Sequence, residues 1–181
     1  MINFKLYFER LENTETIAVL PGGFKPPTKG HFEAFNNLLQ GADKGIVFIG
    51  KSDRDGITQD MAYQIWSIYK TYLPKPVEII KSNITPVKST YDLAIEHNNV
   101  NIIVGAGSKD KDMERYNSFT RNAEKYPHVV VTPISMQEGG ISGTEVREKI
   151  AARDPSAVDY FVPSIIKETD RERIKTILGI A

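Results

Sequence analysis

The stretch "VLPGGFKPPTKGHFEAF", Val19 to Phe35, decides how this chain is read. It joins an apolar run to the start of a helical pattern through two adjacent glycines, three prolines and one of the chain's three histidines. A plain strand-to-helix connection needs about two to six residues, with one to turn and one to cap. Here Gly22 and Gly23 directly follow a strand, where missing side chains let backbone N–H groups approach a ligand closely. Pro26 and Pro27 stiffen the loop. Thr28 and Gly30 then lead to His31 on the first turn of a helix, whose amide dipoles favour anions at that end. An imidazole so placed can give a charge-assisted hydrogen bond to a phosphate oxygen. The same residues also allow a tight turn that His31 merely caps.

Working outward, apolar β-branched runs recur: "TIAVL" (Thr16 to Leu20), "GIVFIG" (Gly45 to Gly50), "VEIIK" (Val77 to Lys81), "NIIVGAG" (Asn101 to Gly107) and "VVVTPI" (Val129 to Ile134). They are short and nearly continuous, the pattern of strands covered on both faces. Helical patterns lie between them at Gly30 to Leu39, Thr58 to Tyr72, Val87 to His97 and Asp112 to Lys125. Strands alternating with helices predict an α/β fold, a Rossmann-like doubly wound parallel sheet of about five strands. Its ligand crevice belongs at the carboxyl ends of the strands. Phe4, Tyr7, Phe8 and Leu11 fall at helical spacing and predict an N-terminal helix over 3–12. A helical segment over 155–181, including a polar-faced helix after Pro163, closes the chain. With no repeat or linker, residues 1–181 read as a single domain with its core at about 17–154.

Composition narrows the function. At 181 residues the chain can bury a core without disulfides or a structural metal. It has no cysteine, which excludes a disulfide framework, a Cys-containing zinc site and a thiolate nucleophile. No metal-ligating cluster is evident. No apolar run reaches the roughly 20 residues of a membrane span, so a cytoplasmic protein without a membrane partner is expected. Lys plus Arg equals Asp plus Glu, so no whole-molecule field draws the chain to nucleic acid. A phosphate-bearing ligand must be met by a local site.

A second such site is legible in "GGISGTEVREKI", Gly139 to Ile150. Ser142 and Glu145 have the spacing of a capping box, which predicts a helix start after the last core strand. Thr144 and Arg147, three residues apart, then share one face of its first turns. A hydroxyl, free amides and a guanidinium converge at a positive helix end. An ordinary capped helix carrying a surface arginine would show the same residues.

Together, "GGFKPPTKGH" and the later "ISGTEVR" resemble the paired signatures of the nucleotidylyltransferase superfamily, G-x-F-x-P-x-[HT]-x-G-H and I-S-[SG]-T-x-x-R. The resemblance spans about Ile17 to Arg153. It implies an enzyme that binds a nucleoside triphosphate and lets an anionic oxygen of the acceptor attack the α-phosphorus in line, releasing pyrophosphate. By motif it places His31 at the α-phosphate, with Thr28 in the position of a commoner histidine. Gly22, Gly23, Phe24 and Gly30 would supply close backbone approach, and Ser142, Gly143, Thr144 and Arg147 would hold the β- and γ-phosphates. Mg²⁺ is implied as a charge neutraliser bound mainly through phosphates and water.

The finer features are mixed. Thr28 is shared with pantetheine-phosphate adenylyltransferases, whereas I-S-G-T is similar to archaeal-type nicotinamide-mononucleotide adenylyltransferases and ATP sulfurylases. The expected reaction transfers AMP from ATP to a small phosphorylated acceptor. A cytidylyltransferase acting on a phospho-alcohol, or a non-catalytic nucleotide-binding protein of the same fold, are the alternatives. Lys25, Lys51 and Arg54, in loops after the first two strands, are the candidate acceptor contacts. Gly105, after the fourth strand, is a candidate for close approach of the nucleoside. Trp66 reads as core; His97 and His128 read as surface or strand-edge residues.

Overall fold

The structure, a computed structural model, describes residues 14–107, 110–135 and 142–181. The helix expected over 3–12 lies outside them. Five strands form one sheet: β1 (Thr16–Gly22), β2 (Lys44–Ile49), β3 (Val77–Lys81), β4 (Asn101–Gly107) and β5 (Val129–Ile134). All four pairings are parallel, in the order β3-β2-β1-β4-β5. The chain moves from β1 to one edge and then crosses to the other side of β1, so the order reverses between β1 and β4. That reversal opens a crevice at the carboxyl ends of these two strands.

The continuous apolar runs have the predicted cause, since both faces of the sheet are covered. One face carries Ala18, Leu20, Val47, Ile49, Ile79 and Ile134 against α1 (Lys29–Leu39), α2 (Gln59–Tyr69), α6 (Gly143–Ala151), α7 (Ala157–Phe161) and α8 (Glu168–Leu178). The other carries Ile17, Val19, Ile46, Phe48, Ile102 and Val104 against α3 (Pro86–Glu96), α4 (Asp110–Glu114) and α5 (Asn117–Arg121). Trp66 is fully buried, edge-on to Phe24, Phe35 and Tyr69. Its core reading holds.

Three helical segments differ from their sequence patterns. The pattern at Asp112 to Lys125 divides into α4 and α5, because Tyr116 and Phe119 both turn into the core and Tyr91 stacks on Phe119 at 4.1 Å. The pattern ending at Tyr72 tightens into a 3₁₀ turn over Lys70–Tyr72. The C-terminal segment holds two helices, α7 before Pro163 and α8 after it, the latter ended by Gly179 in the left-handed conformation.

Candidate active site

Both motifs arrive at the carboxyl end of the sheet. The first bends sharply after β1, with Phe24 at φ +52° and a cis Lys25–Pro26 bond. Gly22 makes the bend possible, because a Cβ there would lie 2.6 Å from the Phe24 ring. Gly23 has open space where its side chain would be, leaving that backbone accessible. Phe24 itself is buried and meets His31 edge-on at 5.1 Å. Tyr69 on α2 donates its hydroxyl to the Pro27 carbonyl at 3.3 Å, tying the loop to the core.

His31 is held from one side. The Thr28 amide donates to its Nδ1 at 3.0 Å, with Thr28 Oγ1 at 2.9 Å from the same nitrogen. A nitrogen that accepts an amide proton carries none itself, so the ring proton resides on Nε2. Burial pushes the His31 imidazole down to about 4, and the ring is neutral at physiological pH. His31 therefore offers a neutral Nε2–H, and a bond from it to a phosphate oxygen would be charge-assisted by the anion alone. The cap and the phosphate donor, alternatives in the sequence, are compatible because they use different nitrogens.

At the second motif, Ser142 caps α6 by accepting from the Glu145 amide at 3.4 Å. The reciprocal half of the expected capping box is replaced, as the Glu145 carboxylate accepts from the Tyr160 hydroxyl at 2.8 Å. Arg147 is 8% exposed, so it is no ordinary surface arginine. Its Nη2 donates to Thr144 Oγ1 at 3.2 Å, its Nη1 to the Lys25 carbonyl at 3.5 Å and its Nε to Asp55 Oδ2 at 2.5 Å. A Cβ at Gly143 would lie 3.1 Å from Arg147 Nη1.

The two motifs share one cavity of about 460 Å³, lined by Gly23, Phe24, Lys25, Thr28, His31, Ser52, Asp53, Arg54, Gly143 and Arg147. Two smaller cavities adjoin it. One of about 170 Å³ reaches from His31 past Gly22 and Gly23 to Gly107, Asp112 and Arg115. The other, of about 380 Å³, lies between Gly23, Gly50, Lys51, Ile84, Pro86, Val87 and Arg115. A larger groove of about 700 Å³ lies between α3 and the β2–β3 edge, away from both motifs.

The sequence's three acceptor candidates separate here. Lys51 faces the 380 Å³ cavity, whereas Lys25 and Arg54 line the cavity of His31 and Arg147. Lys25 is buried, and its ammonium donates to the Gly23 and Gly50 carbonyls at 2.7 and 3.0 Å, joining the ends of β1 and β2. Burial lowers its pKa, partly offset by Asp53. Gly105 turns inward: a Cβ there would meet Ile134 and Leu38 at 3.0 Å, so its lack of a side chain serves the core. Gly30 is likewise buried in the first turn of α1.

Two residues that sequence reasoning passed over line or complete the site. Arg115 stands in "GSKDKDMER", a tract of mixed sign that by itself signals only a solvated loop or helix end, and the breaking of the helix at Tyr116 places it on both smaller cavities. Asp55 lay in another such tract. Its signal was the Asp-Gly pair, a turn-forming dipeptide.

No family model and no curated protein matches the chain. Solved structures do. A protein assigned as a nicotinate-nucleotide adenylyltransferase from Vibrio parahaemolyticus aligns with a TM-score of 0.63 at 14% identity, covering 91% of this chain and 99% of its own. The nicotinic acid mononucleotide adenylyltransferase of Plasmodium falciparum, solved with APC, aligns at 0.55 and 14% identity, covering 92% and 98%. The described architecture is a Rossmann-like α/β sheet with its crevice at the β1–β4 reversal, and within that class it has the fold that these two adenylyltransferase structures share.

Proposed function

We propose that this protein is a nucleotidylyltransferase that transfers AMP from ATP to a small phosphorylated acceptor and releases pyrophosphate. One observation carries the reading: His31 and Arg147, from motifs at opposite ends of the core, face a single cavity at the carboxyl ends of the strands. A neutral N–H donor and a buried guanidinium on one cavity suit a polyphosphate chain. In this reading an oxygen of the acceptor phosphate attacks the α-phosphorus. The bond from that phosphorus to the bridging oxygen breaks, and its electron pair leaves with pyrophosphate. His31 Nε2–H donates to an α-phosphate oxygen as charge redistributes, while Arg147 and Arg54 stabilise the leaving pyrophosphate. No covalent intermediate is needed, so positioning and charge stabilisation carry the rate.

The acceptor occupies the 380 Å³ cavity, whose walls combine Lys51 and Arg115 with the apolar Ile84, Pro86 and Val87. That combination suits an anion attached to a less polar body. Among the described residues no cluster of three His, Asp or Glu could hold a metal ion. Asp53, whose Oδ1 accepts the Gln59 amide, offers a carboxylate on the phosphate cavity. Asp53 alone would suit a Mg²⁺ that arrives with the triphosphate and is held mainly by phosphate oxygens and water; such an ion would supply charge neutralisation.

Pyrophosphate release, measured for each nucleoside triphosphate with a panel of phosphorylated acceptors, tests the reading. ATP with one acceptor should release pyrophosphate and form the adenylylated product. Release with CTP instead would favour cytidylyl transfer. Nucleotide binding without release across the panel would leave a non-catalytic binding protein.

A further inference from the structure

A guanidinium with 8% of its residue exposed needs fixed partners, because burying an unpaired charge is costly. Arg147 has three, and Asp55 is its only acidic one among the described residues. A guanidinium carries five N–H donors, so these contacts leave two for a ligand.

Asp55 is itself built into place. Arg54 and Ile57 exchange backbone hydrogen bonds at 3.0 and 2.9 Å as an isolated antiparallel bridge. Between them Asp55 and Gly56 have φ of +50° and +80°. Two central residues in the left-handed region make a tight turn of the kind for which Asp-Gly is a favoured pair. One side of the turn is anchored by Ile57, which is 1% exposed, and α2 begins just beyond, with Thr58 as its cap. The Asp55 side chain is 60% exposed, yet the backbone that delivers it is closed by the Arg54–Ile57 bridge and anchored at Ile57.

We propose that Asp55 is the positioning residue for Arg147, fixing the guanidinium plane before ligand arrives so that its remaining N–H groups meet the β- and γ-phosphates. This rests on the nucleotidyl-transfer reading. Asp55 also repels a triphosphate, but that repulsion acts from an exposed carboxylate and is screened by solvent and salt. The lost hold acts on a buried charge and is the larger effect.

The test is Asp55→Asn, since asparagine also adopts the left-handed conformation and keeps the turn. ATP and AMP are titrated against wild type, Asp55→Asn, Arg147→Lys and the double variant. The ATP Kd should rise about three- to tenfold in Asp55→Asn, the effect of exchanging an ionised acceptor for a neutral amide oxygen, while the AMP Kd stays within about twofold. In the Arg147→Lys background the same change should cost less than about twofold, as coupled residues require. The Arg147 Nε–H, followed by NMR without nucleotide, should exchange slowly with water in wild type and measurably faster in Asp55→Asn, where only a neutral acceptor remains. Unchanged or tighter ATP binding, equal losses for ATP and AMP, or an undiminished loss beside Arg147→Lys would each overturn the proposal. A wild type that does not prefer ATP to AMP would instead remove the functional reading, and this proposal with it.

Discussion

Replacing His31 with alanine removes two separable things. The Nε2–H donor of a ring that lines the cavity is lost, and the Thr28 amide loses its acceptor on Nδ1. Removing one preorganised donor lowers turnover by about 10²–10³, roughly 3–4 kcal/mol of barrier. ATP affinity should change only a few-fold, because the donor matters most where charge redistributes in the transition state. The lost cap costs about 1 kcal/mol of stability. His31→Gln separates the two, since Thr-x-x-Gln can rebuild a capping box and recover that stability. Steady-state pyrophosphate release, ATP titration and thermal unfolding on all three proteins provide the readouts. A second signature is pH dependence. The folded His31 titrates near 4 and the unfolded side chain near 6.5, so between these values the unfolded state binds more protons. Wild type should therefore lose stability as pH falls from about 6.5 towards 4, and His31→Gln should lose less over the same window. Wild-type kcat in His31→Ala would refute the catalytic role and leave His31 as a cap.

Other outcomes follow from the same geometry. Arg147→Lys keeps charge but loses the planar fork, so ATP affinity should fall more than AMP affinity in parallel titrations; equal losses would place Arg147 away from the β- and γ-phosphates. Lys51→Ala and Arg115→Ala should raise the acceptor KM more than the ATP KM, whereas Arg54→Ala, on the other cavity, should show the reverse; KM values for both substrates check this. Gly22→Ala places a methyl 2.6 Å from the Phe24 ring, an overpacking worth about 1–3 kcal/mol that chemical denaturation would detect.

Much of the fold was legible in the sequence because parallel strands covered on both faces leave a signal in single short segments. Each of the five apolar runs became a strand, and the alternation with helices implied the parallel sheet. The motif residues were legible too, since a turn after a strand and a cap before a helix are local chemistry: Thr28 and Ser142 stand where the helix starts were expected. What residues share across the chain was not legible. Lys25 looked like a free loop cation and lies clamped on two carbonyls; Gly105 looked open to ligand and fills with Leu38 and Ile134. Arg115 and Asp55, in tracts of mixed charge, gained their places only when a helix broke at Tyr116 and a turn reached Arg147. The sequence by itself determined the strands, the helix starts and the residues of the two motifs, because those depend on residues a few positions apart. The tertiary structure alone decided which nitrogen of His31 carries the proton, which cation meets which cavity, and what holds Arg147. Each of these depends on burial and on partners brought from distant parts of the chain, which no local spacing encodes.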